Sequence, residues 1–581
     1  MQTSRRTLLA AGGLAALAAA TDPLRLITAA AAPTAPTTLD QTVLRGPDIG
    51  KGYRQLIAGP GEPHLVRQIF TTGAPPQMTQ QLIAFAQLSD LHITDAQSPL
   101  RVEFLDAYSD YGPPHYNSYP FDSAYRPQEM LSTQTSDSMV RAIRNVKNGP
   151  RTGLPLALTL VTGDAIDNCQ YNETRWYVDL LDGNPIRPDS GDLTRDQSVS
   201  GAMGQAFTHY WHPESPNVTD VPFQRGFPIA PGLLYAARQP FQATGLGMPW
   251  YAAFGNHDGL VQGNAQIDLL PTDPLKRIAT GSSKISDITG IPAVYNGVTD
   301  MILEIIKGEI FGDGIHIKHF PDVTPDPNRR LLSRKQFVAE HFNTTGTPVG
   351  HGFTAGSDKA YYTIPNGLFQ FICLDTMDPE TFGADGCVDN TQFAWLERQL
   401  KACSSRYRPD LTSGTFVTQP GVQDKLVIVF CHHTIDTMTK DSGQQGPAVR
   451  DLLLRFPNVI ALVDGHTHAN NIWPHYVVDQ HGNQNGFWEI NTASHIDWPI
   501  QSRIIEVAAG GGQLSIFTTM VDADAPLVFQ GYLNSPTALA TLARELATND
   551  PQEVDRGIDL RRGVTPEGRN TQLLLPAPFP I

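Results

Sequence analysis

Carboxylate and imidazole side chains recur in five short motifs along the sequence, and together they are able to bind metal ions. Each motif alone is a weak signal, because a single Asp-x-His or Gly-Asp pair occurs by chance in many proteins. The five motifs are, in order, Asp90-x-His92, Gly163-Asp164, Gly255-Asn256-His257-Asp258, His432 and Gly465-His466-x-His468. Carboxylate, imidazole and amide oxygen suit Mn, Fe or Zn better than a soft metal. A carboxylate also bridges two cations, which brings them to about 3.5–4 Å from each other.

Every motif directly follows a short apolar run, and these runs predict buried strands. The runs are 82–88, 156–161, 250–254, 426–430 and 459–463. Continuous apolar runs of this length are typical of strands that are buried on both faces. Helical patterns lie between some of them, so the alternation indicates the α/β class, in which ligands gather beyond the carboxyl ends of the strands. We therefore expect all five motifs to lie along one edge of a sheet.

Other patterns predict the elements around these strands. One helix is expected to be capped by Ser136 and to end before Pro150, a second spans about 393–400, and a third runs from 535 to about 548. Apolar segments at 503–507 and 513–520 flank three consecutive glycines, which is typical of a β-hairpin.

The five motifs in this order resemble the calcineurin-like metallophosphoesterase family, whose pattern is D-x-H, G-D, G-N-H-[DE], H and G-H-x-H. Every element of that pattern stands in the chain, and the resemblance covers roughly residues 82–520. It implies an α/β fold made of a two-sheet β-sandwich flanked by helices. Two long stretches, at about 169–249 and 259–360, would be insertions that either build walls around the site or decorate the surface.

The resemblance also implies a ligand set for two divalent or mixed-valence transition-metal ions (Mn, Fe or Zn). Asp164 would bridge the two ions. The first ion would be completed by Asp90, His92 and His468. The second ion would be completed by Asn256, His432 and His466.

His257 is not expected to bind metal, since its counterpart in the family faces the leaving-group oxygen, and Asp258 would orient it. Histidine changes charge near neutral pH and is therefore able to donate a proton to a leaving alkoxide. His433 either supports the ligand before it in the chain or contacts substrate. Asp167 and Asn168 either fix neighbouring ligands through hydrogen bonds or have no role at the site.

Within the family, the chain looks most like the cyclic-nucleotide and glycerophosphodiester phosphodiesterase branch. Protein serine/threonine phosphatases carry an Arg soon after the Gly-Asp pair, and none stands here. Purple acid phosphatases carry a Tyr where this chain has Asp167, and they lack the histidine that is present here as His92. The chain differs from the phosphodiesterase branch at Thr434, where a proline commonly follows the paired histidines.

The function implied by the resemblance is hydrolysis of a phosphate ester by attack of a metal-bound hydroxide on phosphorus. A phosphodiesterase is the first hypothesis, and a phosphomonoesterase or nucleotidase is the alternative. A catalytically inactive binding protein on the same scaffold is disfavoured, because none of the seven ligands is missing. The substrate would be a small-molecule, lipid or cell-wall phosphate ester.

The composition limits the possible partners. The chain has 581 residues and a formal net charge of −16, which argues against binding to nucleic-acid polymers because no basic surface replaces their counterions. An anionic substrate must therefore be attracted by a local group of cations. The five cysteines are odd in number and show no CxxC spacing, which excludes a disulfide scaffold and a cysteine-type zinc site.

The N-terminus indicates an exported protein. Arg5 and Arg6 precede a mild apolar run at 8–20 and resemble a twin-arginine translocation signal, with an ordinary secretory signal as the alternative. The run is too short and weakly apolar to span a membrane. The mature protein would have no transmembrane segment and would be extracellular, wall-associated or periplasmic, with the twin-arginine translocase as its partner during export.

The expected organisation has four parts. They are the signal peptide at 1–32, a linker and N-terminal extension at 33–81, the phosphoesterase domain at 82–530, and a C-terminal extension at 531–581.

Replacement of both Arg5 and Arg6 by lysine is expected to retain the precursor inside the cell, because the arginine pair is read as an address rather than as charge. Fractionation and immunoblotting of the double variant and the wild type measure this. Normal secretion of the variant would show that the signal is of the ordinary kind.

Overall fold

Apolar and aromatic segments form the strands of the protein, and most strands of the two large sheets are buried. The computed structural model describes residues 37–106, 125–267, 274–289, 316–319, 322–378, 383–412, 415–478, 482, 484–557, 559–563 and 565–581. The predicted signal peptide at 1–32 lies outside these residues, as do parts of the second predicted insertion. The strands are, in chain order, β1 (Gln41–Gly50), β2 (Tyr53–Pro60), β3 (Leu65–Arg67), β4 (Gln80–Leu88), β5 (Thr159–Val161), β6 (Pro185–Ile186), β7 (Phe241–Gln242), β8 (Trp250–Ala252), β9 (Ile285–Thr289), β10 (His316–His319), β11 (Tyr362–Asn366), β12 (Phe369–Cys373), β13 (Arg406–Tyr407), β14 (Val417–Thr418), β15 (Leu426–Phe430), β16 (Val459–Asp464), β17 (Asn471–Val478), β18 (Gln484–Asn491), β19 (Gln501–Gly510), β20 (Gln513–Asp522) and β21 (Thr571–Pro576).

The helices have between four and fifteen residues, and in some of them a side chain before the helix satisfies main-chain N–H groups of the first turn. They are α1 (Ser132–Val146), α2 (Tyr171–Asp182), α3 (Val221–Gln224), α4 (Leu233–Ala237), α5 (Asn256–Gly259), α6 (Pro274–Thr280), α7 (Arg334–Glu340), α8 (Asn390–Ala402), α9 (Gly446–Leu454), α10 (Pro536–Ala547), α11 (Pro551–Arg556) and α12 (Asp559–Arg562). The carboxylate of Asp389 accepts hydrogen bonds from Thr391 N and Gln392 N at the start of α8. The hydroxyl of Ser535 accepts from Ala538 N at the start of α10. The predicted second and third helices are therefore confirmed.

Two large mixed sheets contain most of the strands. The first has seven strands in the order β3-β21-β20-β19-β4-β5-β8, and the second has six in the order β11-β12-β15-β16-β18-β17. Strands β4, β5 and β8 run parallel to one another, as do β12, β15, β16 and β18. The predicted hairpin is confirmed as β19 and β20, which pair in antiparallel register from Gln501 and Asp522 to Gly510 and Gln513. The protein belongs to the α/β class, as the sequence predicts.

Side chains of the two large sheets meet in one hydrophobic core. The rings of Phe85 on β4 and Phe371 on β12 pack edge to face with their centroids 5.5 Å apart. The hydroxyl of Tyr362 on β11 donates to the main-chain oxygen of Ala252 on β8 over 2.7 Å. A second core joins the other face of the six-stranded sheet to α8 and α9, so that both faces of its central strands are covered.

The five predicted strands all exist, but they do not share one sheet edge. Strands β4, β5 and β8 belong to the seven-stranded sheet, and β15 and β16 belong to the six-stranded sheet. The expectation of one edge is therefore wrong. Its physical reason is that an apolar run shows burial on both faces without showing which strand lies beside it.

Helix α1 begins at Ser132, four residues before the predicted cap, so Ser136 lies inside the helix. Its hydroxyl is buried and lies 3.2 Å from Nδ1 of His495. A serine that is predicted to cap a helix thus has a tertiary partner instead, and no periodic pattern reveals that.

The predicted boundaries at 82 and 530 do not coincide with the boundaries of the sheet. Strand β3 comes from the predicted N-terminal extension and β21 from the predicted C-terminal one, yet both lie in the seven-stranded sheet. They pair with each other in parallel, with Thr571 opposite Leu65. All five cysteines are buried and none forms a disulfide. Among the described residues, no helix has the length and apolar character needed to cross a bilayer.

Candidate metal centre

The loops that follow the motif-bearing strands are tied together by hydrogen bonds. Asp90 N donates to Gly163 O over 3.1 Å within one sheet, and Gly465 N donates to His432 O over 3.0 Å within the other. His466 N donates to Oδ1 of Asp90 over 3.0 Å and so links the two sheets. The carboxyl ends of strands from both sheets therefore converge on one place.

Five of the seven predicted ligands have left-handed backbone conformations. Their φ angles are 50° for Asp90, 45° for His92, 48° for Asp164, 70° for His466 and 56° for His468. Residues with side chains adopt this region rarely, and where they do the surrounding structure must hold them there. The loop hydrogen bonds supply that constraint, and the turn in each loop directs its side chain to a common point.

His92 and His468 face each other through nitrogens that are both acceptors. Nδ1 of His92 lies 3.0 Å from Oδ1 of Asp167, and Nδ1 of His468 lies 2.6 Å from Oδ2 of Asp497. Because carboxylates accept, each Nδ1 carries the hydrogen, and in the neutral rings each Nε2 is a lone pair. The two Nε2 atoms are nevertheless 3.0 Å apart, and Oδ1 of Asp90 is 3.5 Å from Nε2 of His468. These acceptor atoms repel one another unless a proton or a metal cation lies between them.

A second group of acceptors surrounds His432. Its Nδ1 donates to Thr162 O over 2.9 Å, which in the neutral ring leaves Nε2 as a lone pair, and this atom lies 2.9 Å from Oδ1 of Asn256. The amide of Asn256 donates through Nδ2 to Gly263 O over 3.0 Å, so its oxygen is the atom turned towards the imidazoles. Nδ1 of His466 is 3.2 Å from both Oδ1 of Asn256 and Nε2 of His432.

The carboxylate of Asp164 lies between the two groups. Its Oδ1 accepts from His257 N over 2.8 Å. Its Oδ2 lies 3.1 Å from Nε2 of His432 and 3.9 Å from Nε2 of His92. One oxygen therefore faces the lone pairs of both groups.

The electrostatics of this pair of groups favour positive charge. Burial alone would raise the pKa of Asp164, but His432 and His257 hold that pKa well below its usual range. Burial lowers the pKa of His432, and the charge of Asp164 outweighs it and raises this pKa to about 9. In the absence of metal, a proton supplies the positive charge here, and a metal ion that binds must displace it.

The structure brings all seven predicted ligands together. Two carboxylates, four imidazoles and one amide oxygen make a donor set that fits a borderline transition metal such as Mn, Fe or Zn. Within it, buried His and Asp groups, such as Asp90 with His92 and His468, have ligand atoms within 4.8 Å of one another and are able to hold a metal ion.

His257 lies beside this cluster and is partly exposed, with its ring centroid 4.5 Å from that of His92. Its Nδ1 donates to Asp167 O over 2.7 Å. The expectation that Asp258 orients this ring is wrong. The carboxylate of Asp258 accepts instead from main-chain N–H groups of Gly255, over 2.8 Å, and Ala165, over 2.9 Å, because it closes the first turn of α5. It thereby fixes the loop that carries Asp164.

His433 is a buried structural residue. Its Nε2 donates to Ala384 O over 2.7 Å, and its Nδ1 pairs with the hydroxyl of Thr376 over 2.8 Å. Although its ring lies within reach of His432 and His466, both of its nitrogens already have partners. Of the two predicted roles, support of His432 is the one that fits, since the two rings pack edge to face with their centroids 4.9 Å apart.

Asp167 fixes a ligand, as one of the two sequence expectations has it. Its Oδ1 accepts from His92, while its Oδ2 lies 2.5 Å from Nη1 of Arg101 and 2.7 Å from Nε2 of Gln262. Burial would raise its pKa, but Arg101 and His92 hold it well below its usual range. Asn168 contacts no ligand directly; it accepts from Gln262 N over 2.9 Å and so braces the loop after α5.

Both predicted insertions contribute to the back of the site. The carboxylate of Glu173 in the first insertion accepts from the main-chain N–H groups of Asp95 and Asn168, each over 2.8 Å. Gln262 in the second insertion bonds Asp167 as described. The segments around Glu173 and Gln262 are therefore part of the scaffold that holds the ligands.

Sequence reasoning missed Asp497 and its partner Arg126. Nε and Nη2 of Arg126 donate to the two oxygens of Asp497 over 2.5 and 3.0 Å, and Asp497 in turn orients His468. The available signal is the presence of polar residues at 494, 495 and 497, just after strand β18. No local pattern pairs it with an arginine 371 residues away.

Asp497→Asn is expected to weaken metal binding by about 10–100-fold. The charge of Asp497 orients His468 and makes Nε2 of that ring a better ligand, and the substitution removes this charge. Titration with Mn²⁺ against a competing chelator measures this. Asp524→Asn is the matched control, since Asp524 also pairs with an arginine, Arg141 at 2.8 Å, but lies outside the cluster. Equal affinities of Asp497→Asn and the control would show that Asp497 does not support the ligand.

No protein-family model matches the chain, and no curated protein matches it in sequence.

Proposed function

We propose that the protein is a phosphoesterase of the calcineurin-like metallophosphoesterase family that holds two transition-metal ions where its two large sheets converge. The observation that carries the proposal is Oδ2 of Asp164, which lies 3.1 Å from Nε2 of His432 and 3.9 Å from Nε2 of His92. A carboxylate oxygen between two sets of imidazole lone pairs meets the geometric need of a bridging ligand. The presence of all seven ligands argues against an inactive binding protein.

The arrangement of the sheets supports the same proposal. The two large sheets share one core, and helices cover the outer face of one of them. Ligand residues follow strands of both sheets, which fits the two-sheet sandwich of that family with its site at the strand ends. The insertions and the two terminal strands are additions to that scaffold.

The ligands would divide into two sets that share Asp164. One ion would be held by Asp90, His92 and His468. The other would be held by Asn256, His432 and His466. When bound, a pair of such ions lowers the pKa of water and neutralises phosphoryl oxygens.

The chain itself supplies the proton for the leaving group. Because Nδ1 of His257 donates to Asp167 O, Nε2 is the nitrogen that remains for a substrate oxygen. In its charged form the ring donates the Nε2 proton to the departing alkoxide as the ester bond breaks. The main-chain bond from His257 N to Oδ1 of Asp164 sets the distance between this proton donor and the cluster.

A phosphodiester is the proposed substrate class, acted on outside the cytoplasm, as Arg5 and Arg6 suggest. Rates on bis(4-nitrophenyl) phosphate and 4-nitrophenyl phosphate with the Mn²⁺-loaded protein test the class. Faster hydrolysis of the monoester would identify a phosphomonoesterase, and hydrolysis of neither would remove the proposed function.

The purified protein is expected to contain about two transition-metal ions per chain and to lose its activity on treatment with a chelator, because two acceptor groups share one bridging carboxylate. Elemental analysis with a parallel assay checks this. Re-addition of Mn²⁺ to the chelated protein controls for denaturation. An active protein with one ion or none would contradict the dinuclear site.

Two substitutions at adjacent positions distinguish a metal ligand from a general acid. They are Asn256→Ala and His257→Ala. The first removes an oxygen ligand and should lower the metal content. The second should keep both ions yet slow hydrolysis of an alkyl phosphate ester by about 10²–10⁴-fold, which is the usual contribution of general acid catalysis. A nitrophenyl ester should be much less affected, because nitrophenolate departs without a proton.

Metal analysis and the two rates, measured on both variants, serve as each other's controls. Equal losses on the two esters in His257→Ala, with metal retained, would mean that this residue binds the phosphoryl group. Loss of metal in His257→Ala would mean that it is a ligand.

A further inference from the structure

A tight loop directly after α5 lies against Asn256 and His257, the proposed ligand and the proposed proton donor. Val261 and Ala265 close the loop, with Val261 N donating to Ala265 O over 2.8 Å and Ala265 N donating back over 3.1 Å. Between them, Gln262 and Gly263 both have left-handed backbone conformations, with φ of 47° and 65°. The loop thus turns back over the helix that carries Asn256 and His257.

Gly263 lies close to the imidazole of His257, so that a side chain at this position would meet the ring. A methyl group on that carbon would overlap Cδ2 and Nε2 of His257 and would lie 2.6 Å from Nδ2 of Asn256. The side chain of His257 is 21% exposed, so burial alone does not confine the ring. It is instead held by Asp167 O, which accepts from Nδ1, and by Gly263, which lies beside Cδ2 and Nε2.

The loop has little room to withdraw from the ring. Gln262 is held by two bonds, from its N to Oδ1 of Asn168 over 2.9 Å and from its Nε2 to Oδ2 of Asp167 over 2.7 Å. Asn264 O accepts from Gly383 N over 3.0 Å on the far side. A side chain at position 263 would therefore displace the partly exposed imidazole before it displaced the loop.

We propose that Gly263 is a positioning residue for the general acid: it holds the ring of His257 in place because it has no side chain. The proposal rests on the proposed function of His257 and adds a residue outside the five motifs to that role. The main-chain oxygen of the same glycine accepts from Nδ2 of Asn256 and keeps its oxygen turned towards the imidazoles. One short loop thus sets both the acid and a neighbouring ligand.

Gly263→Ala tests the proposal with Gly356→Ala as the matched control. Gly356 also has a left-handed backbone, with φ of 74°, but it is exposed and its methyl group would meet nothing within 4 Å. Gly263→Ala should lower kcat on an alkyl phosphate ester by about tenfold or more, since the acid is displaced, and should affect a nitrophenyl ester much less. The control should match the wild type on both esters, and the metal content of both variants separates displacement of His257 from displacement of Asn256.

A double variant shows whether the effect passes through the imidazole. Gly263→Ala in a His257→Ala background should cause no further loss on the alkyl ester, because the displaced group is already gone. A full additional loss in that background would overturn the proposal. So would equal losses on the two esters, loss of metal in Gly263→Ala, or rates equal to those of the control.

The wild type separates this proposal from the proposed function. If the wild type hydrolyses neither ester, the function itself fails. If it hydrolyses both esters and Gly263→Ala behaves like Gly356→Ala, only the positioning role fails.

Discussion

The whole site depends on one electrostatic constraint: carboxylate, amide and imidazole acceptors crowd together and need positive charge, from a proton or a metal ion, between them. Nε2 of His92 and Nε2 of His468 are 3.0 Å apart, and both Asp90 and Asp164 are buried. Acceptors at such distances repel one another in a medium of low dielectric constant. A cation at their centre removes the repulsion, and the rest of the fold serves to hold the acceptors in place for it.

Two features of the structure hold the acceptors together against this repulsion: the loop backbone and the ion pairs behind the ligands. The backbone is strained at five ligand positions, and main-chain bonds between the loops hold it there. Behind the ligands, Arg101 and Arg126 each compensate a carboxylate that orients a histidine, Asp167 and Asp497 respectively. Removing one member of such a buried pair leaves an uncompensated charge, so these pairs make the ligand geometry rigid.

The sequence reveals what is local and periodic. The apolar runs predict all five motif strands, the sequence pattern predicts α8 and α10, and the ligand motifs stand at strand ends as expected. What it does not reveal depends on the tertiary structure. The division of the strands between two sheets, the bond from Arg126 to Asp497, and the main-chain role of Asp258 all join positions that no spacing relates. The sequence does not reveal the role of Gly263 either, because that role comes from the absence of a side chain.

Strand β21 lies between β3 and β20 in the seven-stranded sheet, so residues near 571 pair with residues near 65. The sheet is therefore incomplete on the ribosome until almost the whole described chain has been synthesised. Before that point β20 presents an unpaired edge, and such edges invite association with other chains. Pairing over so long a separation is also slow. The order of synthesis thus leaves the edge of β20 exposed until the residues near 571 have been made.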